Sequence, residues 1–283
     1  MVSNTQHLPR FKPELYRIIR IDPNRPATLP PFLFDETVSA DCRVVDTKRL
    51  ATYGHWVQHV LLQSCHMTDL LDILKHCQNV EDLALCVVHG GSDQSLLEGL
   101  SLCRKLKKLT LLPSDFFYVP TIPFAHPAFS NITHLEIINF ITNSWELWSQ
   151  LTEMPRLTHL AITVDPALLT GIVLCLLIGC KYLKLLILVN QNINDDPAYE
   201  LEKSWSNPSH YKLSELGPIA GWMLDSRVVL LNTSNLPLGD DPVGDWEMGA
   251  RGGSDFWIIA EEIQAERLKF THNQTVLDLF QFQ

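Results

Sequence analysis

The sequence predicts an α/β fold in which short helix–strand units repeat and stack as a solenoid, with a parallel sheet on the concave side and helices on the convex side. Three observations carry this. Val80, Leu106, Ile132, Leu157 and Leu183 recur at steps of 26, 26, 25 and 26 residues. In the same phase stand Leu83, Leu109, Leu135, Leu160 and Leu186, then Leu85, Leu111, Ile137, Ile162 and Leu188, and, before all of these, Cys77, Cys103, Phe129, Met154 and Cys180. Finally, the apolar residues upstream of each strand fall at three- and four-residue steps, the helical period.

The columns have the form C-x-x-L-x-x-L-x-L, a leucine-rich-repeat pattern. In an extended segment alternate side chains point to opposite faces, so both residues of each L-x-L go inward and the residue between them goes outward. Leu70, Leu71, Leu74 and Cys77 predict the first helix, and Leu96, Leu97, Leu100 and Cys103 the second. Trp148, Leu151 and Met154, then Leu174, Leu177 and Cys180, predict two more. No unit buries its apolar side alone, so the units stack. Val57, Val60 and Leu62 extend the array by one unit toward the N-terminus, and Val44-Val45 begins a terminal one. The third unit carries Pro113, Pro120, Pro123 and Pro127, which exclude a regular helix and predict an irregular loop. Ala167 to Cys180 reads as a fully buried helix, since its 14 nearly all apolar residues are too few to cross a bilayer and occupy the helix slot of the fifth unit. Register is lost from Asn190 to Asp225, and Arg227-Val-Val-Leu-Leu231 reads as a last strand. The resulting organisation is an N-terminal helix and Pro-rich segment over 1–43, the repeat array over 44–190, and an irregular segment, terminal strand and capping helix over 191–283.

Composition narrows the function. A hydrophobic fraction of 46% with 19% charged residues supports a filled core, and a net charge of −10 disfavours nucleic-acid binding. The seven cysteines lack paired spacing, and Cys77, Cys103 and Cys180 share an apolar column, which predicts core filler and a reducing compartment, cytoplasmic or nuclear. No membrane contact is expected, and the sequons at Asn131, Asn232 and Asn273 read as chance matches.

Leu8-Pro9 and Lys12-Pro-Glu-Leu-Tyr-Arg-Ile-Ile-Arg-Ile21 resemble the opening helix of an F-box. That resemblance implies contact with the adaptor subunit of a cullin-type ubiquitin ligase through Leu8, Pro9, Pro13, Leu15 and Ile18. Pro23, Pro26, Pro30 and Pro31 then interrupt the region where two further F-box helices would stand, so the box is degenerate, and the residues themselves read rather as an amphipathic helix capping the first repeat. Asp245-Trp246, Gly249-Ala-Arg-Gly-Gly253 and Asp255-Phe-Trp257, followed by a helix through Arg267, are similar to the tail of fungal F-box-like leucine-rich-repeat proteins. Ser254 or Asp255 is placed to cap that helix. Leu185, Ile187 and Val189, the outward positions of the last repeat, would form an adhesive patch if left open. Residues between Trp246 and Leu268 are therefore expected to cover it.

The remaining outward positions define the expected binding surface, Asp82, Lys108, Thr110, His134, Glu136, His159 and Thr163. No catalytic or metal motif occurs: there is no G-x-S-x-G, H-E-x-x-H, phosphate loop or paired Cys motif. His55 and His59 are placed in a strand as ordinary surface residues, and Asp240-Asp241 with Pro242 and Gly244 as a turn. The expectation is a non-catalytic scaffold that binds a protein ligand without a cofactor, serving substrate recruitment to a ubiquitin ligase. The alternative is a metal-dependent or small-ligand enzyme or sensor built on His134, His159 and Glu136.

Overall fold

The computed structural model describes residues 16–21, 47–117, 122–138, 145–163, 170–190, 225–232, 236–237 and 241–281. It is an α/β chain with one open, eight-stranded parallel sheet whose strands lie in chain order. Two compact units divide within the fifth strand, Met1–Leu135 with Met154–Arg156 in the first and Glu136–Glu153 with Leu157–Gln283 in the second.

The first unit contains β1 (Ile18–Ile21), α1 (Thr47–Tyr53), β2 (His59–His66), α2 (Met67–His76), β3 (Asp82–His89), α3 (Asp93–Leu102) and β4 (Lys108–Leu111). Its register is the one the columns predict: Val60 pairs with Leu83 and Leu62 with Leu85, and these continue to Leu109 and Leu111. All six are buried, as are Leu70, Ile73 and Leu74 of α2 and Leu96 and Leu100 of α3. Gly99 lets α3 approach α2 closely, since a Cβ there would meet Leu74 at 3.1 Å and Leu71 at 3.2 Å. Ser92 starts α3 by accepting a hydrogen bond from the Ser95 amide.

A recurring turn explains the cysteine column. The carbonyl of Cys77 accepts from the amide of Val80, Cys103 from Leu106, Phe129 from Ile132 and, in the second unit, Cys180 from Leu183. Each column residue therefore both fills the core and closes the turn that brings a helix into a strand. One carbonyl then accepts two successive amides as the next strand begins: Gln58 from Glu81 and Asp82, Glu81 from Lys107 and Lys108, Lys107 from Thr133 and His134. The repeat length is thus set by backbone hydrogen bonds as well as by apolar phase.

β5 (His134–Ile138) carries the division between the units. The second unit continues with α4 (Trp145–Trp148), β6 (His159–Thr163), α5 (Thr170–Gly179), β7 (Leu185–Asn190), β8 (Val228–Asn232), α6 (Pro242–Ala250) and α7 (Phe256–Gln281). Leu160 pairs with Leu186 and Ile162 with Leu188, and β8 adds Val228 and Leu230 to the same two columns. Arg227 anchors β8: its guanidinium bonds Asp225 and donates to the Leu177 carbonyl at 2.9 Å. This hydrogen-bonded guanidinium holds the Asp225 carboxyl below the usual range.

Several expectations are corrected. Ile18–Ile21 is a strand paired in parallel with His59–Leu62, not the end of a helix. Ile18, Ile19 and Ile21 surround one arginine, and β-branched residues pack well on a pleated surface. Of Ala167–Cys180, residues 167–169 lie outside the described residues, and the described part is not fully buried. α5 turns Ile172, Val173, Leu176 and Leu177 inward, whereas Leu174 is 40% and Ile178 82% exposed, because one side of a helix resting on a sheet faces away. His55 lies in a 3₁₀ turn (Gly54–Trp56) rather than a strand. Asp241 caps α6 through the Gly244 amide, so the acidic run starts a helix, with Pro242 at its favourable first position. The Pro-rich third unit has only 3₁₀ turns among its described residues, Pro113–Asp115 and Pro127–Phe129. Phe116, Ile122, Phe124 and Phe129 fill its core where a helix would otherwise pack. Val44-Val45 and the stretch from Gln191 to Leu224 lie outside the described residues.

Burial pushes the thiols of Cys65, Cys77 and Cys103 up to about 12 and that of Cys180 to about 11, while Cys175 is exposed. In a Cys42→Ser chain at pH 8, a thiol reagent should therefore label Cys175 first and leave these four unmodified until the protein unfolds. Labelling of Cys77 or Cys103 in the native state at the rate of Cys175 would contradict the register.

Candidate interaction surface and its capping helix

The sheet face opposite the inward columns has a different character in each unit. In the first unit the register brings His59, Asp82 and Lys108 side by side, and the shared Lys107 carbonyl begins β5 at His134 in the same row. His59 Nδ1 lies 3.4 Å from Asp82 Oδ2. Asp82 and Thr110 are 8% and 9% exposed, whereas Lys108 and His134 are half-buried. Thr133 Oγ1 stands 2.9 Å from His134 Nδ1. Lys108 and His134 are therefore the more accessible of the expected surface residues in this unit.

The second unit's face is covered. Leu185, Ile187, Val189, Ala161, Val229 and Leu231 form one apolar cluster with Trp257 and Ala260 of α7, and Phe256, Ile259 and Ile263 pack at its edge. The patch that the sequence marks as adhesive is thus buried by the tail that the sequence assigns to it. Polar contacts fix the helix: Gln264 donates to the carbonyls of Lys184 and Ser226, and Arg267 donates to that of Val228. His159 joins this arrangement. Its Nε2 is 3.1 Å from Glu261 Oε1, its Nδ1 is 2.8 Å from Thr158 Oγ1, and Trp257 meets it edge-on at 6.2 Å. Thr163 is 4% exposed and Glu136 half-buried. Glu261 was not apparent as a partner for His159 from sequence, because it lies more than 100 residues away on a helix with only weak amphipathic periodicity.

The D-W, G-A-R-G-G and D-F-W elements form the joint that aims α7. Asp255 caps α7 by accepting from the Ile258 amide, and Asp245 Oδ2 accepts from the Phe256 amide across the turn. Gly249 is required because a Cβ there would lie 2.4 Å from the Asp255 carboxylate, and Gly252 has φ +84°. Asp245 is 2% exposed and its Oδ1 has no hydrogen-bond partner. Burial, with smaller contributions from the Asp255 and Asp241 charges, pushes its carboxyl up to about 6 against a single opposing backbone hydrogen bond.

Among the expected adaptor-contacting residues, Leu8, Pro9, Pro13 and Leu15 lie outside the described residues, and Ile18 is half-buried in β1. No described helix is long and apolar enough to cross a membrane. No protein-family model matches the chain, and no curated protein is similar to it in sequence.

Two outcomes follow. Because the folded pKa of Asp245 is raised above its ordinary value of 3.8, the native state binds the extra proton. Stability should be highest below about pH 4 as far as this group is concerned and decline as pH rises through about 6. Asp245→Asn should flatten that slope and raise neutral-pH stability by on the order of 2 kcal/mol, read by denaturant melts at pH 5 and 7.5. Trp257→Ala should cost about 3 kcal/mol and increase binding of a hydrophobic dye as the apolar face opens. A dye-silent variant with an unchanged melt would show that α7 is not the cover.

Proposed function

We propose that this chain is a non-catalytic protein-interaction scaffold built as a leucine-rich-repeat solenoid. The observation that carries the reading is the constant lateral register of the strands, which sets successive outward side chains in rows that an extended partner can follow. With α7 over the second unit's face, docking falls to the first unit, where Lys108 and His134 offer polar contacts beside the buried Asp82. An elongated partner segment with acidic or amide side chains fits that row.

Recruitment of substrates to a cullin-type ubiquitin ligase is the cellular role supported by the resemblance of the N-terminal and tail motifs, and it places the protein in the cytoplasm or nucleus. In that reading Leu8, Pro9, Pro13 and Leu15 precede the sheet and meet the adaptor, while Ile18 belongs to β1. Titrating purified adaptor subunit into the full chain should give saturable binding at micromolar concentration. Leu8→Asp with Leu15→Asp should abolish it, while Lys108→Glu with His134→Glu should leave it intact and remove the captured substrate. Absence of adaptor binding by the folded chain would reduce the role to a scaffold outside the ligase.

A further inference from the structure

The ends of β2 and β3 break the alternation that the rest of each strand obeys. Ser64 and Val87 have φ of 53° and 58°, the left-handed region, which is unfavourable for L-residues and most of all for a β-branched one. Gln63 pairs with Cys86, Cys65 with Val88 and His66 with His89, so Ser64 and Val87 stand at the same level of two neighbouring strands whose register does not change. At each, the left-handed backbone shifts the side-chain alternation by one.

The shift decides where two histidines point. Val60 and Leu62 in β2, and Leu83 and Leu85 in β3, are inward, so unbroken alternation would carry His66 and His89 inward as well. With the left-handed residues in place, Cys65 and Val88 are buried and His66 and His89 are exposed. The Val88 amide, which follows left-handed Val87, donates to Asp115 Oδ2 at 2.8 Å, so the strained backbone of β3 is held by a dedicated side chain. The two imidazoles end side by side with ring centroids 5.7 Å apart and planes inclined by 53°.

We propose that His66 and His89 form a two-histidine site for a divalent transition metal of the zinc, nickel or copper class, with the remaining positions taken by water or by a ligand atom of a second molecule. Imidazole nitrogen suits these ions. Two imidazoles on one tetrahedral ion, at metal–nitrogen distances of about 2.0–2.1 Å, set their ring centroids roughly 5 Å apart, so small side-chain rotations suffice. Strained residues persist where the surrounding structure holds them, and they concentrate at functional sites. Here the strain occurs twice, at matched positions, and on each strand it turns a histidine out of the core. The site lies in the first unit and uses neither α7 nor Lys108 and His134, so it is independent of the interaction role. It departs from the sequence expectation of no metal, since the two histidines stand 23 residues apart and form no metal-ligand motif along the chain.

The test is a calorimetric titration of tag-free full chain carrying Cys42→Ser and Cys175→Ser with Ni²⁺, together with Cu²⁺ electron paramagnetic resonance. One saturable equivalent, a raised melting temperature and a two-nitrogen hyperfine pattern are expected. His66→Asn and His89→Asn should each weaken binding by on the order of tenfold or more, since the second imidazole adds by effective concentration. His55→Asn and His76→Asn should leave it unchanged. His66→Gln and His89→Gln serve the same purpose should an asparagine variant fail to fold. Binding of equal strength without His66 or His89, or no saturable binding in the parent chain, would overturn the proposal.

Discussion

Each helix–strand unit of this protein is too small to bury its own apolar side, and one backbone device recurs in four of the units to resolve that. A column residue closes the turn after a helix with its carbonyl and fills the core with its side chain, as Cys77, Cys103, Phe129 and Cys180 do. The next strand then begins on a carbonyl of the strand before it. Because one residue performs both tasks, repeat length and core phase cannot drift apart. The helix slot tolerates variation at constant length: the Pro-rich third unit has 3₁₀ turns and buried aromatic rings there among its described residues, and Leu135 and Ile137 are still delivered to the core.

The same constraint creates the problem that α7 solves. A repeat array ends in a strand whose neighbour is missing, and here the last strands are apolar on both faces. β8 extends one set of columns, and Trp257 and Ala260 cover the opposite face. The joint that aims α7 depends on Asp245, a buried carboxyl held by one backbone amide and surrounded by two other carboxylates. An ionised group in that position costs stability near neutral pH, and its location in the joint ties that cost to the seating of the cap.

Elsewhere the sheet departs from regularity on purpose. The twin left-handed residues Ser64 and Val87 change which side chains reach the core without changing the pairing of strands, and Asp115 supports the displaced amide. Regular packing alone would not select such a conformation, since unstrained alternation was open to both strands. The outcome is an accessible imidazole pair at the ends of β2 and β3.

The amino-acid sequence by itself determined the register, the buried columns with their cysteines and the terminal strand, because each depends on the period of apolar residues, and period survives in the sequence; the destination of the tail followed from the apolar outward positions of the last repeat. Tertiary structure alone decided the rest. Ile18–Ile21 became a strand because an open sheet edge accepts β-branched residues that local spacing also allows in a helix. α5 kept an exposed apolar side because a helix on a sheet has only one face to bury. His159 met Glu261 across a long separation that no local pattern encodes. His66 and His89 reached the surface through two strained residues whose identities, serine and valine, give no warning of a left-handed backbone. What depends on periodicity could be read, and what depends on a distant partner or a single displaced residue required the packed chain.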